Sequence, residues 1–195
     1  GLDVEKVLTG RTMKAGEFTF TITPAEGAPA ISDSDKSFTN TRKGSGIVDV
    51  MQKLQGLVFT EADAGKTYIY TVAETAGDLI GVTYDDTEYT VAIKVVDNGD
   101  GTMHTVTTIT WTAADGSEQT AVYDSYSADA GIPTVRFNNS YKAADADPVD
   151  ITEGFQKVLK GRDWKDSDSF TFTAHGCELR IDNEQVAEVF AELSP

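Results

Sequence analysis

Apolar and polar residues alternate along most of the first 142 residues of the chain. Successive side chains of a β-strand point to opposite faces of its sheet, so a period of two predicts half-buried strands. About eight short segments of this kind are separated by turns, and helical periodicity is almost absent. The pattern predicts an all-β fold, an immunoglobulin-like β-sandwich of two packed sheets. The clearest alternation is found in residues 17–23, 68–74, 88–96, 103–111 and 135–141.

Other stretches are less regular. Residues 56–60 alternate and are predicted as a further strand, whereas residues 48–54 fit either a strand or a turn of helix. Residues 28–46 are rich in Ser, Asp, Lys and Gly and are predicted as a long loop, with a candidate edge strand at 37–40. The Asp-Asn-Gly-Asp-Gly sequence at 97–101 predicts a hairpin turn. Its carboxylates also suit calcium, but the glutamate that closes an EF-hand loop is missing, so we predict a turn without a metal.

Three polar residues fall on strand faces that the alternation assigns to the core. They are Lys6 in residues 2–8, Glu74 in residues 68–74 and Asn139 in residues 135–141. A buried amine, carboxyl or amide group needs a polar partner, because burial without one is costly. One interpretation is structural: Lys6 and Glu74 form a buried salt bridge, and Asn139 caps a strand end.

The same three residue types also suit a covalent reaction. A lysine amine can attack the side-chain carbonyl of an asparagine, which expels ammonia and leaves an amide cross-link. Burial keeps the amine neutral, and an apolar setting keeps a carboxylic acid protonated, so that the acid can polarise the carbonyl through a hydrogen bond. Contact held for the lifetime of the protein supplies much of the acceleration. The residues alone therefore leave two interpretations open, an ion pair and a cross-link.

Part of the pattern returns after residue 150, which indicates an internal repeat. The matching segments are residues 155–162 with residues 4–11, and residues 169–173 with residues 17–21. We predict tandem copies of one domain, with the second copy truncated. The predicted parts are a complete domain at 1–142, a small acidic linker at 143–150 and an incomplete second copy at 151–195.

Lys157 takes the position of Lys6 in the second copy. The strands equivalent to residues 66–142 are missing from this copy, so its cross-link cannot form within the sequence. The first residue, Gly1, already lies in a patterned segment, and the last residues stop without a tail. We expect the sequence to be a fragment of a longer chain, with any signal peptide outside it.

Composition narrows the range of functions. A formal net charge of −16 makes nucleic acids and anionic membranes unsuitable partners, and no apolar run is long enough to span a bilayer. The lone Cys177 cannot form an internal disulfide. The two histidines, His104 and His175, fall in different predicted domains and pair with no evident nucleophile. We therefore expect no cofactor, no metal site and no enzyme that acts on external substrates.

Four motifs of the chain resemble the streptococcal pilin isopeptide linkage domain. This domain is the fold of the major backbone pilin of group A streptococci and of repeats in many Gram-positive adhesins. The resemblance covers residues 1–142 and, as a truncated copy, residues 151–195. The motifs are the Lys6 strand, residues 68–74, residues 81–85 with 89–91, and residues 137–140.

The resemblance implies that Lys6 is joined to Asn139 and that Glu74 is the catalyst. In the second copy it implies that Lys157 is the reactive lysine. Asn138 precedes Asn139 where the family often has another residue, so the motif alone leaves the acceptor ambiguous. The alternation of the strand favours Asn139.

The resemblance also implies a role. The chain would be a structural stalk or shaft module of a surface adhesin or pilus, outside a Gram-positive cell, and an autocatalytic, single-turnover cross-link would stabilise it without disulfides. Its partners would be neighbouring repeats of the same chain. The alternative is an adhesin module that binds a host glycan or matrix protein through residues 28–46, although this loop has neither an aromatic platform nor apolar anchors.

Overall fold

The computed structural model describes residues 1–144, 158–163, 165–170, 172–173 and 190–191. The chain divides into two compact units, Gly1–Asp145 and Ala146–Pro195. The predicted linker at 143–150 is described only as far as residue 144, and Lys157, Cys177 and His175 lie outside the described residues.

Two β-sheets build the first unit. The first sheet has the strand order β4–β1–β10–β6, and its strands are β1 (Leu2–Thr9), β4 (Val48–Lys53), β6 (Val82–Thr83) and β10 (Thr134–Tyr141). The second sheet has the order β3–β2–β5–β7–β8–β9. Its strands are β2 (Thr19–Pro24), β3 (Ser37–Thr39), β5 (Thr67–Thr75), β7 (Glu88–Asp97), β8 (Met103–Thr112) and β9 (Glu118–Asp124).

Little other regular structure is present in the described residues. A short helix, α1 (Asp33–Lys36), precedes β3, and a 3₁₀ turn spans Glu61–Asp63. In the second unit, β11 (Phe172–Thr173) pairs with β12 (Phe190–Ala191) in antiparallel fashion. Within the described part of the chain, no helix is long and apolar enough to cross a membrane.

The hydrophobic core of the first unit lies between its two sheets. Phe20 of the second sheet packs against Phe137 of the first, with ring centroids 5.3 Å apart, and Tyr89 meets the same ring edge-on at 5.3 Å. All three aromatic side chains are buried. The prediction of an all-β sandwich is confirmed, since alternate residues of the strands face this shared core.

The first and last strands of the unit are neighbours. β1 runs parallel to β10, with Lys6 opposite Phe137 and Leu8 opposite Asn139. On its other side β1 pairs with β4 in antiparallel fashion, and Lys6 lies opposite Asp49. The closing strand of the domain is therefore inserted beside the opening strand, in the middle of the first sheet.

Two predictions about local structure have different outcomes. The hairpin predicted at 97–101 joins β7 to β8, and Gly99 and Gly101 adopt φ of 74° and 87°, a region that favours glycine. The strand predicted at 56–60 is wrong. Leu57 and Phe59 pack partly buried against the core, while Val58 is exposed. The apolar residues of this segment therefore alternate between the core and solvent as in a strand, but the segment lacks the backbone hydrogen bonds that would make it part of a sheet.

Candidate functional site

Three strands bring Lys6, Glu74 and Asn139 together between the sheets. β1 supplies Lys6, β10 supplies Asn139 from the neighbouring position in the first sheet, and β5 supplies Glu74 from the opposite sheet. Lys6 is 0% exposed and Asn139 is 2% exposed, and the Glu74 side chain is 0% exposed. In each strand the period of two carries the polar side chain inward with its apolar neighbours.

The Glu74 carboxyl group bridges the two nitrogen atoms of this cluster. Lys6 Nζ lies 2.7 Å from Glu74 Oε2 and donates a hydrogen bond to it. Asn139 Nδ2 donates to the other oxygen, Oε1, over 2.7 Å. One carboxyl group therefore contacts both the amine and the amide nitrogen.

The carbonyl oxygen of Asn139 has a different partner. Its Oδ1 accepts a hydrogen bond from the backbone N–H of Asp85 over 2.8 Å. Asp85 lies in the short connection between β6 and β7. Its carboxylate accepts hydrogen bonds from the backbone N–H groups of Asn138, over 2.7 Å, and Thr87, over 3.0 Å. The sequence predicts that Glu74 polarises the Asn139 carbonyl, whereas in the structure Glu74 contacts the amide nitrogen.

Aromatic rings line the amine side of the site. Lys6 Nζ lies 4.5 Å from the centroid of the Phe18 ring and 5.8 Å from that of Phe20. Tyr84 packs against Phe18 in a T-shaped arrangement, with ring centroids 5.9 Å apart. These rings exclude water from the amine and offer only weak polar contact in return.

Burial changes the proton affinities of both ionisable partners. Desolvation lowers the pKa of Lys6, against the opposing effect of the hydrogen bond and charge of Glu74. Desolvation raises the pKa of Glu74, against the opposing effect of Lys6 and of the hydrogen bond from Asn139. Both directions favour the pair in which the amine and the carboxyl group are neutral. A neutral amine beside a protonated acid is the form that nucleophilic attack on an amide requires.

The two asparagines in β10 lie on opposite faces of the strand. Asn138 is exposed, whereas Asn139 is buried at the Lys6–Glu74 pair. The ion-pair interpretation expects the Lys6–Glu74 contact too, but it expects Asn139 to cap a strand end. Asn139 instead donates to Glu74, so the amide belongs to the same cluster as the amine.

Sequence reasoning missed two acidic residues near this site. Asp85 is part of the motif at 81–85, but alternation cannot place a residue that lies in a loop. Asp49 is 0% exposed and accepts hydrogen bonds from the backbone N–H groups of Thr41, over 2.5 Å, and Arg42, over 2.9 Å. Asp49 lies two residues before Met51 in β4, so both side chains point to the buried face of the strand. This alternation is the feature of the sequence from which a buried Asp49 could have been predicted.

The described residues hold no group of three or more His, Cys, Asp or Glu side chains that could bind a metal ion. The carboxylates of the hairpin at 97–101 stabilise the turn: Asp97 accepts from the Gly99 N–H over 2.8 Å, and Asp100 accepts from the Thr102 N–H over 2.9 Å. His104 follows this hairpin and contacts Asn98 through its ring.

Comparisons with known proteins point to one family. A family model described as FctA, Spy0128-like isopeptide containing domain, matches residues 2–142. A mutant of the major pilin from Streptococcus pyogenes is similar at 19% identity, with a TM-score of 0.44, over 72% of this chain and 50% of that chain. The T-13 major pilin of the same species is similar at 18% identity, with a TM-score of 0.41, over 72% of this chain and 51% of that chain. The chain thus spans about half the length of these structures. No curated protein sequence matches it significantly.

Proposed function

Because the chain belongs to the Spy0128-like isopeptide containing domain family, we propose that residues 1–142 form a structural module locked by an amide bond between Lys6 and Asn139. The observation that carries the proposal is the buried cluster in which Glu74 contacts both nitrogen atoms over 2.7 Å. The module would belong to the shaft of a pilus or the stalk of a surface adhesin on a Gram-positive cell.

The reaction follows from the groups in contact. Lys6 passes one proton to Glu74, and the neutral Nζ attacks Cγ of Asn139. The bond from Cγ to Nδ2 then breaks with its electron pair, Nδ2 takes the proton that Glu74 held, and ammonia leaves. Nζ gives its second proton to Glu74 and keeps the third in the new amide. Atoms and charge balance, and each domain reacts once, so the module is not an enzyme for external substrates.

The strand topology supports a load-bearing role. Since β1 and β10 run parallel, the start of β1 and the end of β10 lie at opposite ends of the first sheet. Tension applied to the two chain ends would pass from Lys6 to Asn139 through a covalent bond and bypass residues 7–138. In the loop-closure model, a cross-link around a loop of this length also stabilises the fold by about 5 kcal/mol.

A local repeat supports the tandem arrangement. In the first unit, Arg11 forms a two-pronged ion pair with Glu17, which also accepts from the Lys14 N–H over 3.0 Å. In the second unit, Arg162 pairs with Asp168 over 2.7 and 2.8 Å, and Asp168 accepts from the Lys165 N–H over 3.0 Å. The glycine before each arginine has φ near the same value, 90° and 97°. We propose that the second unit begins another copy of the domain, whose reactive lysine is Lys157.

The intact mass of the purified full chain tests the bond. We expect a mass below the sequence mass by one ammonia, and a branched peptide that contains Lys6 and Asn139 after digestion. The variant Asn138→Ala should lose ammonia like the native chain, because its side chain is exposed. The variant Asn139→Ala should have the mass calculated from its own sequence, with no loss of ammonia. Folded native chain at the full sequence mass would refute the cross-link, and a branched peptide through Asn138 would refute the choice of acceptor.

A further inference from the structure

The two ends of the Asn139 side-chain amide contact different groups. The nitrogen faces the Glu74 carboxyl group, and the oxygen faces the backbone N–H of Asp85. The orientation of the amide is fixed by chemistry, because a backbone N–H can only donate and the atom it meets must be an acceptor. The oxygen that gains negative charge when a nucleophile attacks Cγ therefore lies against Asp85, over 2.8 Å.

We propose that the backbone N–H of Asp85 polarises the Asn139 carbonyl and stabilises the charge that develops on Oδ1, and that the Asp85 carboxylate is the positioning group that holds this N–H in place. The proposal rests on the cross-link proposed above and divides its chemistry in two. Asp85 acts on the oxygen of the acceptor amide, while Glu74 acts on the attacking and leaving nitrogens. A preorganised donor aimed at a developing oxyanion is a large source of rate acceleration in acyl transfer.

The positioning role follows from a reciprocal pair of hydrogen bonds. Asp85 donates its N–H to the side chain of Asn139, and its carboxylate accepts the N–H of Asn138 over 2.7 Å. The loop residue and β10 thus hold each other at two points. A third bond, from the N–H of Thr87 to the Asp85 carboxylate, closes a turn within the loop. The donor is fixed before the reaction, so no reorganisation is needed when charge appears on Oδ1.

The division of roles is consistent with the proton balance. Both oxygens of Glu74 are occupied by the two nitrogen atoms that exchange protons, over 2.7 Å each. When the electron pair of the carbonyl moves onto Oδ1, Glu74 donates its proton to Nδ2 and accepts one from Nζ. The electron pair returns to re-form the carbonyl as the bond from Cγ to Nδ2 breaks. Oδ1 remains bonded to Asp85 from the start of the sequence to its end, and it never needs a proton.

Replacement of one backbone atom tests the donor itself. In cell-free synthesis, residue 85 is introduced as the α-hydroxy analogue of aspartate, so that an ester oxygen replaces the N–H and the carboxylate is kept. The fraction of full chain that has lost ammonia is followed by intact mass after a short labelling pulse, and folding is followed by circular dichroism on the same samples. We expect cross-linking about 100-fold slower than in the native chain, as for loss of one oxyanion donor.

Side-chain variants test the positioning role. Asp85→Asn keeps the size of the side chain but replaces one acceptor oxygen with a donor, so we expect slower cross-linking in a chain that folds at the native rate. The matched control is Asp86→Asn, since Asp86 is the exposed neighbour and should react like the native chain. Folded ester and Asp85→Asn chains that react at the native rate would overturn the inference, while loss of ammonia from the native chain still supports the cross-link.

A measurement on the native chain keeps the test decisive if a variant does not fold. A scalar coupling across the hydrogen bond, from the backbone ¹⁵N of Asp85 to the side-chain ¹³Cγ of Asn139, reports this contact directly. We expect the coupling in the native, cross-linked chain, because Oδ1 keeps its donor in the product. A chain that has lost ammonia but lacks the coupling would overturn the role of Asp85 and leave the cross-link standing.

Discussion

Glu74 and Asp49 are both buried carboxyl groups between the two sheets, yet they differ in what surrounds them. Asp49 accepts hydrogen bonds from backbone N–H groups of Thr41 and Arg42 and from the Thr41 hydroxyl. Glu74 contacts an amine and a primary amide. Lys6 relates the two, because it lies opposite Asp49 in the β1–β4 pairing and bonds to Glu74 across the core.

The comparison indicates that the hydrogen-bond partners of a buried carboxyl group, rather than its burial, decide whether it is able to transfer protons. Backbone N–H groups do not give up their protons at ordinary pH. The hydrogen bonds of Asp49 therefore have a structural role, which is to hold the loop at residues 41–42 against β4. The amine of Lys6 can give up a proton, and the amide nitrogen of Asn139, once protonated, can leave as ammonia when Nζ has attacked Cγ. Glu74 therefore has proton donors and acceptors on both sides, and Asp49 has none among its bonded partners.

The largest expected effect is that of Glu74→Ala. Without the carboxyl group no proton carrier links Nζ to Nδ2, so the folded variant should retain the full sequence mass. Loss of the cross-link should lower the free energy of unfolding by about 5 kcal/mol in the loop-closure model. Intact mass and guanidinium unfolding of the full chain measure the two effects. Loss of ammonia at the native rate in this variant would remove Glu74 from the chemistry.

A smaller effect is expected from pH. The reactive pair holds one proton between amine and carboxyl group, so the rate should fall in acid, where both are protonated, and in alkali, where neither is. Desolvation raises the pKa of Glu74 and lowers that of Lys6, so the two limbs should lie closer together than the pKa values of a separate carboxyl group and a separate amine. Initial rates of ammonia loss across pH measure both limbs. A rate that stays constant over the whole range between the ordinary pKa values of a carboxyl group and an amine would contradict these two shifts.

The smallest effect on the chemistry is expected from Asp49→Ala. This variant should lose ammonia as the native chain does, because Asp49 does not contact Asn139 or Lys6 Nζ through any hydrogen bond of the described residues. It should lose about 2 kcal/mol of stability, since the backbone N–H groups of Thr41 and Arg42 lose their charged acceptor. Denaturant unfolding of Asp49→Ala and of the native chain under the same conditions measures this difference in the free energy of unfolding. A variant that folds but does not cross-link would break the distinction between the two acids.

The sequence predicts the inward faces of the strands well because alternation is a local property. Lys6, Glu74 and Asn139 each share the parity of buried apolar neighbours, and all three are buried in the structure. Alternation does not identify pairing partners, and for this reason it predicts a strand at residues 56–60, where the structure has none. The parallel contact of β1 with β10 joins residues about 130 positions apart, and no local pattern identifies it. The family resemblance implies only that Lys6 and Asn139 meet.

The contacts of the loop residues could not be predicted from the pattern. Asp85 reaches the site through its backbone N–H, which every residue but proline possesses, so its identity carries no direct signal for the role. Asp49 has a visible inward parity, but its partners lie in a loop eight or fewer positions away whose path is irregular. Loop geometry, set by tertiary contacts, decides both cases.

The adjacency of β1 and β10 also sets an order in time. A ribosome makes β1 before β10, so Lys6 can meet its proposed acceptor Asn139 only after residues 7–138 have been synthesised and the two strands have paired. A chain interrupted anywhere before Asn139 has no acceptor amide and therefore keeps the free amine of Lys6. In the proposed cross-link, the missing ammonia would therefore be a permanent chemical record that translation and folding of the domain both reached completion, and mass spectrometry of the intact protein would detect it.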